Sequence, residues 1–154
     1  MNDLAAPELE RRVLVLTPTA VDANLTQGVF ERAGIPSLSC RTLTEVCAAL
    51  DDGAAALLLA EEAVLLERQD ALTDWLGHQP PWSDLPIMVL ARPGADSAAV
   101  ARAMDLLGNV TVLERPTRIA ALVSAARSAL RARQRQYQIR QHLEEPEGSS
   151  AALR

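Results

Sequence analysis

Ala55-Ala-Leu-Leu-Leu-Ala60 is apolar at every position, with Asp51-Asp-Gly53 before it and Glu61-Glu62 after it. A short, unbroken apolar run between polar punctuation predicts a strand covered on both faces, the condition of a central strand in a parallel sheet. Working outward, Arg12-Val-Leu-Val-Leu-Thr17 closed by Pro18 predicts the first strand, and Pro36 to Cys40 a shorter second one. Leu85-Pro-Ile-Met-Val-Leu90 and Val110 to Leu113 predict the fourth and fifth.

The segments between them carry helical spacing. Ala20 to Ala33 places Val21, Leu25, Val29 and, off by one, Phe30 at such intervals, and Gly34 stops it. Thr42 to Leu50 opens with Thr42 as N-cap and Glu45 at the capping-box position. Glu61 to His78 carries Val64, Leu65, Leu72, Trp75 and Leu76 on one stripe, and Gln79-Pro-Pro81 cannot continue it. Ala98 to Leu107 is stopped by Gly108, and Thr117 to Leu143 forms one long helix with Ile119, Leu122, Val123, Ala126 and Leu130 as its buried face. Five strands alternating with five helices predict an α/β, doubly wound five-stranded parallel sheet with right-handed crossovers.

Composition sets limits on function. With 154 residues, a domain over 11–131 leaves a polar leader over 1–10 expected to fray, a projecting helix over 132–143 and a disordered tail over 144–154. Aromatics are only 3%, so Leu, Val, Ile and Ala must fill the core. The net charge of −5 argues against a nucleic-acid partner. All fifteen basic residues are Arg, which rules out chemistry needing a lysine amine. Cys40, Cys47, His78 and His142 form no metal set, so no metal is expected. No run approaches a membrane span and no basic n-region precedes an apolar stretch, so a cytoplasmic location without a membrane partner is expected. No Gly-rich loop follows the first strand, so no nucleotide or flavin cofactor is expected.

Five β/α units with Arg115-Pro116 just past the last strand resemble the receiver domain of two-component signalling. That resemblance covers roughly Arg11 to Arg131 and implies strand order 2-1-3-4-5. The strings Leu106-Leu-Gly-Asn-Val-Thr-Val-Leu-Glu-Arg-Pro116, Gln79-Pro-Pro-Trp-Ser-Asp-Leu-Pro86 and Leu130-Arg-Ala-Arg-Gln-Arg-Gln-Tyr-Gln-Ile-Arg140 look like a narrower group. It is the atypical receiver-like domain at the N-terminus of bacterial hybrid sensor histidine kinases, where the last helix runs on into the kinase.

The resemblance also fixes where phosphotransfer residues should stand. A working receiver holds Mg²⁺ with acidic residues after the first strand, a phosphoacceptor Asp after the third, a Ser or Thr after the fourth and a Lys before the Pro. These supply hard oxygen ligands, a carboxylate nucleophile and a cation for developing phosphoryl charge. Here the acidic pair falls on Thr17 and Pro18, the acceptor on Ala60, the hydroxyl on Ala91 and the Lys on Arg115. Only the Pro is retained. The expectation is a degenerate, non-enzymatic receiver acting without phosphorylation in a phosphorelay.

Several residues admit two readings. Glu61 is either a displaced phosphoacceptor or permanent phosphate mimic against Arg115, or, with Glu62, an acidic residue favoured in a first helical turn. Asp22 is expected to lie away from the crevice. Glu114-Arg115 is either a solvated pair or part of a remodelled crevice. Trp75 and Trp82 either line a pocket or pack the long helix and its Pro-Pro exit. Arg118 to Arg140 holds six Arg and no acid, with Leu130, Tyr137, Ile139 and Leu143 as a thin apolar stripe and Gln134 and Gln141 at seam-like positions. A helix so marginal alone predicts pairing with its copy in a homodimer and coupling to a sensor histidine kinase in cis or trans, with Leu130, Tyr137 and Ile139 on the output helix. A small-ligand sensor using the crevice between Thr17, Ala60, Ala91 and Arg115, and a cryptic phosphoacceptor at Glu61, are the alternatives.

Overall fold

A computed structural model describes residues 8–66, 70–93 and 98–144. Its order is β1 (Val13–Leu16), α1 (Ala20–Arg32), β2 (Ser37–Cys40), α2 (Leu43–Asp52), β3 (Ala56–Ala60), α3 (Glu61–Leu66), α4 (Asp70–Gly77), β4 (Ile87–Ala91), α5 (Ala98–Leu107), β5 (Val110–Glu114) and α6 (Ile119–Glu144). The helix expected over Glu61 to His78 is described as α3 and α4, with 67–69 outside the described residues; the expected tail beyond Glu144 also lies outside them. The leader is described only from Glu8.

All five strands run parallel in the order β2-β1-β3-β4-β5, so β3 is central, as its unbroken apolar run requires. Alternate strand residues feed two separate cores. Leu14, Leu16, Leu57, Leu59, Ile87 and Val89 meet α2, α4 and α5 through Val46, Leu50, Leu72 and Leu107. Val13, Val15, Ala56, Leu58, Met88 and Leu90 meet α1 and α6 through Phe30, Leu122, Ala126 and Ala129. Each fully buried Leu or Phe contributes roughly 1.5–3 kcal/mol, so both helical layers are held by burial.

Local signals act where the sequence puts them. Thr42 accepts from the Glu45 N–H at 3.1 Å while the Glu45 carboxylate accepts from the Arg41 N–H, which fixes the start of α2. The Thr19 hydroxyl donates to the Asp22 carboxylate at 2.9 Å and accepts from the Asp22 N–H at 3.1 Å, which caps α1. Gly34, Gly53 and Gly108 have positive φ where helices end.

One expected helix face is partly rotated. In α1, Val21 and Leu25 are exposed, and the helix is buried through Thr26 and Phe30 with Val29 packed beside them. On α6 the expected face holds: Leu122 and Ala126 are buried and Val123 and Leu130 pack against the core, joined by Ala129 and Arg133, while Ile119 at the helix start is exposed. In α1 the packing against the sheet decided which side turned inward.

Candidate functional site

Leu16 pairs with Leu59, Ala60 with Leu90, and Ala91 with Glu114, so the carboxyl ends of β1, β3, β4 and β5 bring Thr17, Ala60, Ala91 and Arg115 to one crevice. The positions that the resemblance assigns to phosphotransfer are therefore together in space. Ala60 and Ala91 are completely buried and offer only methyl groups. The Thr17 hydroxyl donates to the Thr19 carbonyl at 3.3 Å, and Pro18 is exposed.

Two ion pairs cross this crevice. Glu61, the first residue of α3, is 4% exposed. One of its oxygens accepts from the Arg92 backbone N–H at 2.9 Å; the other accepts from the Arg92 fork, Nε at 3.1 Å and Nη2 at 2.9 Å. Glu62 accepts from Arg115 Nη2 at 2.6 Å, while Arg115 Nε and its backbone N–H donate to the Ala91 carbonyl at 3.2 and 2.8 Å. The expected pairing of Glu61 with Arg115 is thus replaced by two pairings, Glu61 with Arg92 and Glu62 with Arg115. Successive residues at the start of a helix point about 100° apart, so two adjacent carboxylates reach different loops. The Arg115-Pro116 peptide is cis.

Burial pushes the Glu62 carboxyl up, but the Arg115 hydrogen bond, its own backbone N–H and the charges of Arg115 and Arg92 outweigh it. Its pKa is net lowered. The Glu62 carboxylate is therefore a committed acceptor, and each of the two Glu side chains is matched to its own guanidinium. These residues do not fit a divalent cation: Thr17, Pro18 and Ala60 supply no carboxylate, and both Glu oxygens of Glu61 face guanidinium or amide donors. Among the described residues no group of three or more His, Cys, Asp and Glu could hold a metal. Nor is any described helix long and apolar enough to cross a membrane.

A second polar cluster lies at the amino ends of the strands, the opposite edge of the sheet. Arg133 on α6 is 4% exposed; its Nε donates to the Ala54 carbonyl at 3.2 Å, and its Nη1 to Ser83 Oγ at 2.8 Å and Gln136 Oε1 at 2.7 Å. The Tyr137 hydroxyl donates to the same Ala54 carbonyl at 2.6 Å. Gln136 brackets Asp84, accepting from its N–H at 2.7 Å and donating to its carbonyl at 2.8 Å. Trp82 packs on Tyr137 at 5.7 Å between ring centres, and the Arg133 and Arg140 guanidiniums lie 4.6 and 4.5 Å from the Tyr137 ring. Arg140 closes the cluster with a forked pair to Glu10 at 2.6 and 2.9 Å.

This cluster alters the expected roles along α6. The segment expected to project from residue 132 contacts the body through Arg133, Gln136, Tyr137 and Arg140. Leu130 packs against the core and Tyr137 is engaged within the chain, whereas Ile139 and Leu143 are exposed. Trp82 packs on Tyr137 of α6, and Trp75 donates to Asp51 at 3.1 Å. Arg92, Arg133, Arg140 and Glu10 were not singled out by the sequence. Apart from Gln136 beside Arg133, their partners lie 31 to 130 residues away, and the one available signal was the acid-free run of Arg on the last helix.

No protein-family model and no curated protein matches the chain. Solved structures do. A response regulator receiver domain from Clostridium thermocellum superposes with a TM-score of 0.65 at 17% identity, over 80% of this chain and 96% of that one. The signal receiver domain of a signal transduction histidine kinase from Syntrophus aciditrophicus gives 0.63 at 18%, over 77% and 89%. NtrX from Brucella abortus, solved in complex with ADP, gives 0.66 at 19% over 89% of this chain, which spans only 30% of that protein. Likeness at such identities speaks for architecture, and with the sheet order and the crevice it establishes that this chain has a receiver-like fold.

Proposed function

We propose that this domain is a phosphorylation-independent, non-enzymatic regulatory module of two-component signalling that acts by protein contact through α6. The observation that carries this reading is the crevice. Where a phosphoacceptor and its metal ligands would stand, Ala60, Ala91, Thr17 and Pro18 offer neither nucleophile nor cation site. The two nearby carboxylates are held by Arg92 and Arg115. Such pairs tie the start of α3 to the ends of β4 and β5, which favours one fixed arrangement of those segments.

Protein contact is supported by the far end of α6, where Ile139 and Leu143 are 52% and 61% exposed one turn apart. They suit a homodimer through the last helix, with a sensor histidine kinase coupled in cis or trans. A cryptic acceptor at Glu61 is disfavoured because its two oxygens already accept three hydrogen bonds. A small ligand in the crevice would have to displace both ion pairs.

Acetyl phosphate with Mg²⁺, followed by intact-mass measurement, tests the first half; no phosphoryl adduct is expected. An adduct that disappears in Glu61→Ala would overturn it. Light scattering tests the second half: the full chain is expected to be a dimer and Ile139→Glu a monomer. A wild-type chain that stays monomeric at high concentration and binds no kinase segment would sink the contact model.

A further inference from the structure

The two halves of α6 are held by different forces. From Leu122 to Ala129 the buried contacts are apolar and belong to the core beneath the sheet, with one exposed hydrogen bond from Arg127 to the Ala33 carbonyl at 3.2 Å. From Arg133 to Arg140 they are polar and aromatic, and they reach only three short segments: Ala54 after α2, the 79–85 loop before β4, and Glu10 before β1. We propose that the Glu10–Arg140 ion pair is a latch, through which the chain entering the domain sets whether the last turns of the helix leaving it stay docked.

Several observations converge on Glu10. It is the carboxylate paired with Arg140, and Arg140 shares the Tyr137 ring with the buried Arg133 guanidinium. Among the described residues, Arg133 itself donates to neutral acceptors, Ala54, Ser83 and Gln136. Glu10 therefore acts on both guanidiniums that flank one aromatic ring, while the charge of Glu144, on α6 itself, also acts on Arg140. Without Glu10, like charges face each other across Tyr137 in a part-buried setting, where repulsion is weakly screened. The placement of Glu10 is also built in. The Arg11 and Arg12 N–H groups donate to the Glu8 and Leu9 carbonyls, which makes a turn. Arg12 then clips that turn to the end of α2 through the Ala49 and Gly53 carbonyls at 3.0 and 3.1 Å. A side chain at Gly53 would come within 3.0 Å of Glu10 Cγ, so a glycine there leaves the room that Glu10 occupies.

The consequence is directional. Displacing the turn before β1 by a partner or an adjoining segment removes the counter-charge, releases α6 beyond Arg133, and leaves the sheet and the Leu122–Ala129 half untouched. That release would reorient Ile139 and Leu143. The regulatory meaning rests on the reading of α6 as the output helix, but the latch itself does not.

Hydrogen exchange by mass spectrometry on the full chain, compared with Glu10→Gln and the swapped pair Glu10→Arg with Arg140→Glu, tests it. In Glu10→Gln the amides from Tyr137 to Glu144 are expected to exchange roughly tenfold faster, with β1, β3 and residues 122–129 unchanged. The swapped pair is expected to recover most of the protection. Unchanged exchange at the helix end, or an equal rise across the whole domain, would overturn the latch. Because exchange is read within one chain, it can succeed while the dimer model fails, and the reverse.

Discussion

The two edges of the sheet both carry arginines, and they handle charge in opposite ways. At the carboxyl edge each guanidinium has its own carboxylate, and the Arg92 side chain is 53% exposed, so water shares the load. At the amino edge Arg133 is buried on neutral acceptors and shares one distant carboxylate with Arg140. Charges in one-to-one pairs fix a geometry locally. A shared counter-charge couples segments that are far apart in sequence. The crevice therefore reads as a closed site and the base as a mechanical joint.

The sharpest way to break this comparison is Arg133→Ala, which strands the Ala54 carbonyl, Ser83 and Gln136 and empties a site between two aromatic rings. A loss of about 3 kcal/mol in unfolding free energy by chemical denaturation is expected. If the loss is no larger than that of a surface Arg, the base is not a structural joint.

Glu61→Ala is next. It orphans the Arg92 N–H, but the half-exposed Arg92 fork can turn to water, so about 1.5 kcal/mol is expected. A larger loss than that of Arg133→Ala would reverse the ranking of the two edges. Tyr137→Phe keeps the ring and removes one hydrogen bond to Ala54, and thermal melting should report about 1 kcal/mol.

pH separates the two edges most gently. Because the Glu62 pKa is net lowered, its contribution is intact above the ordinary carboxylate value and fades as pH falls through the lower folded one. Tyr137 moves the other way: burial pushes its phenol up, against the pull of the neighbouring Arg133. Its contribution is intact below about pH 10 and is lost on further rise. Amide protection at Arg115 is expected to fail first in acid, and that at Gln136 to Arg140 first in alkali. Simultaneous loss at both edges would show that they are one cooperative unit.

The sequence alone determined the architecture. Periodicity is a local property: an apolar run such as Ala55 to Ala60 must be buried on both faces whatever surrounds it, and five such runs between helical spacings leave few topologies. It also determined what the crevice lacks, because Ala60 and Ala91 cannot become nucleophiles in any fold. Only the tertiary structure decided who pairs with whom. Glu61 found Arg92 rather than Arg115, and Arg140 reached back 130 residues to Glu10. Which stripe of α1 turned inward was decided there too. An ion pair depends on a few ångströms of separation and on what excludes water around it, and neither quantity exists until the sheet has brought distant segments together.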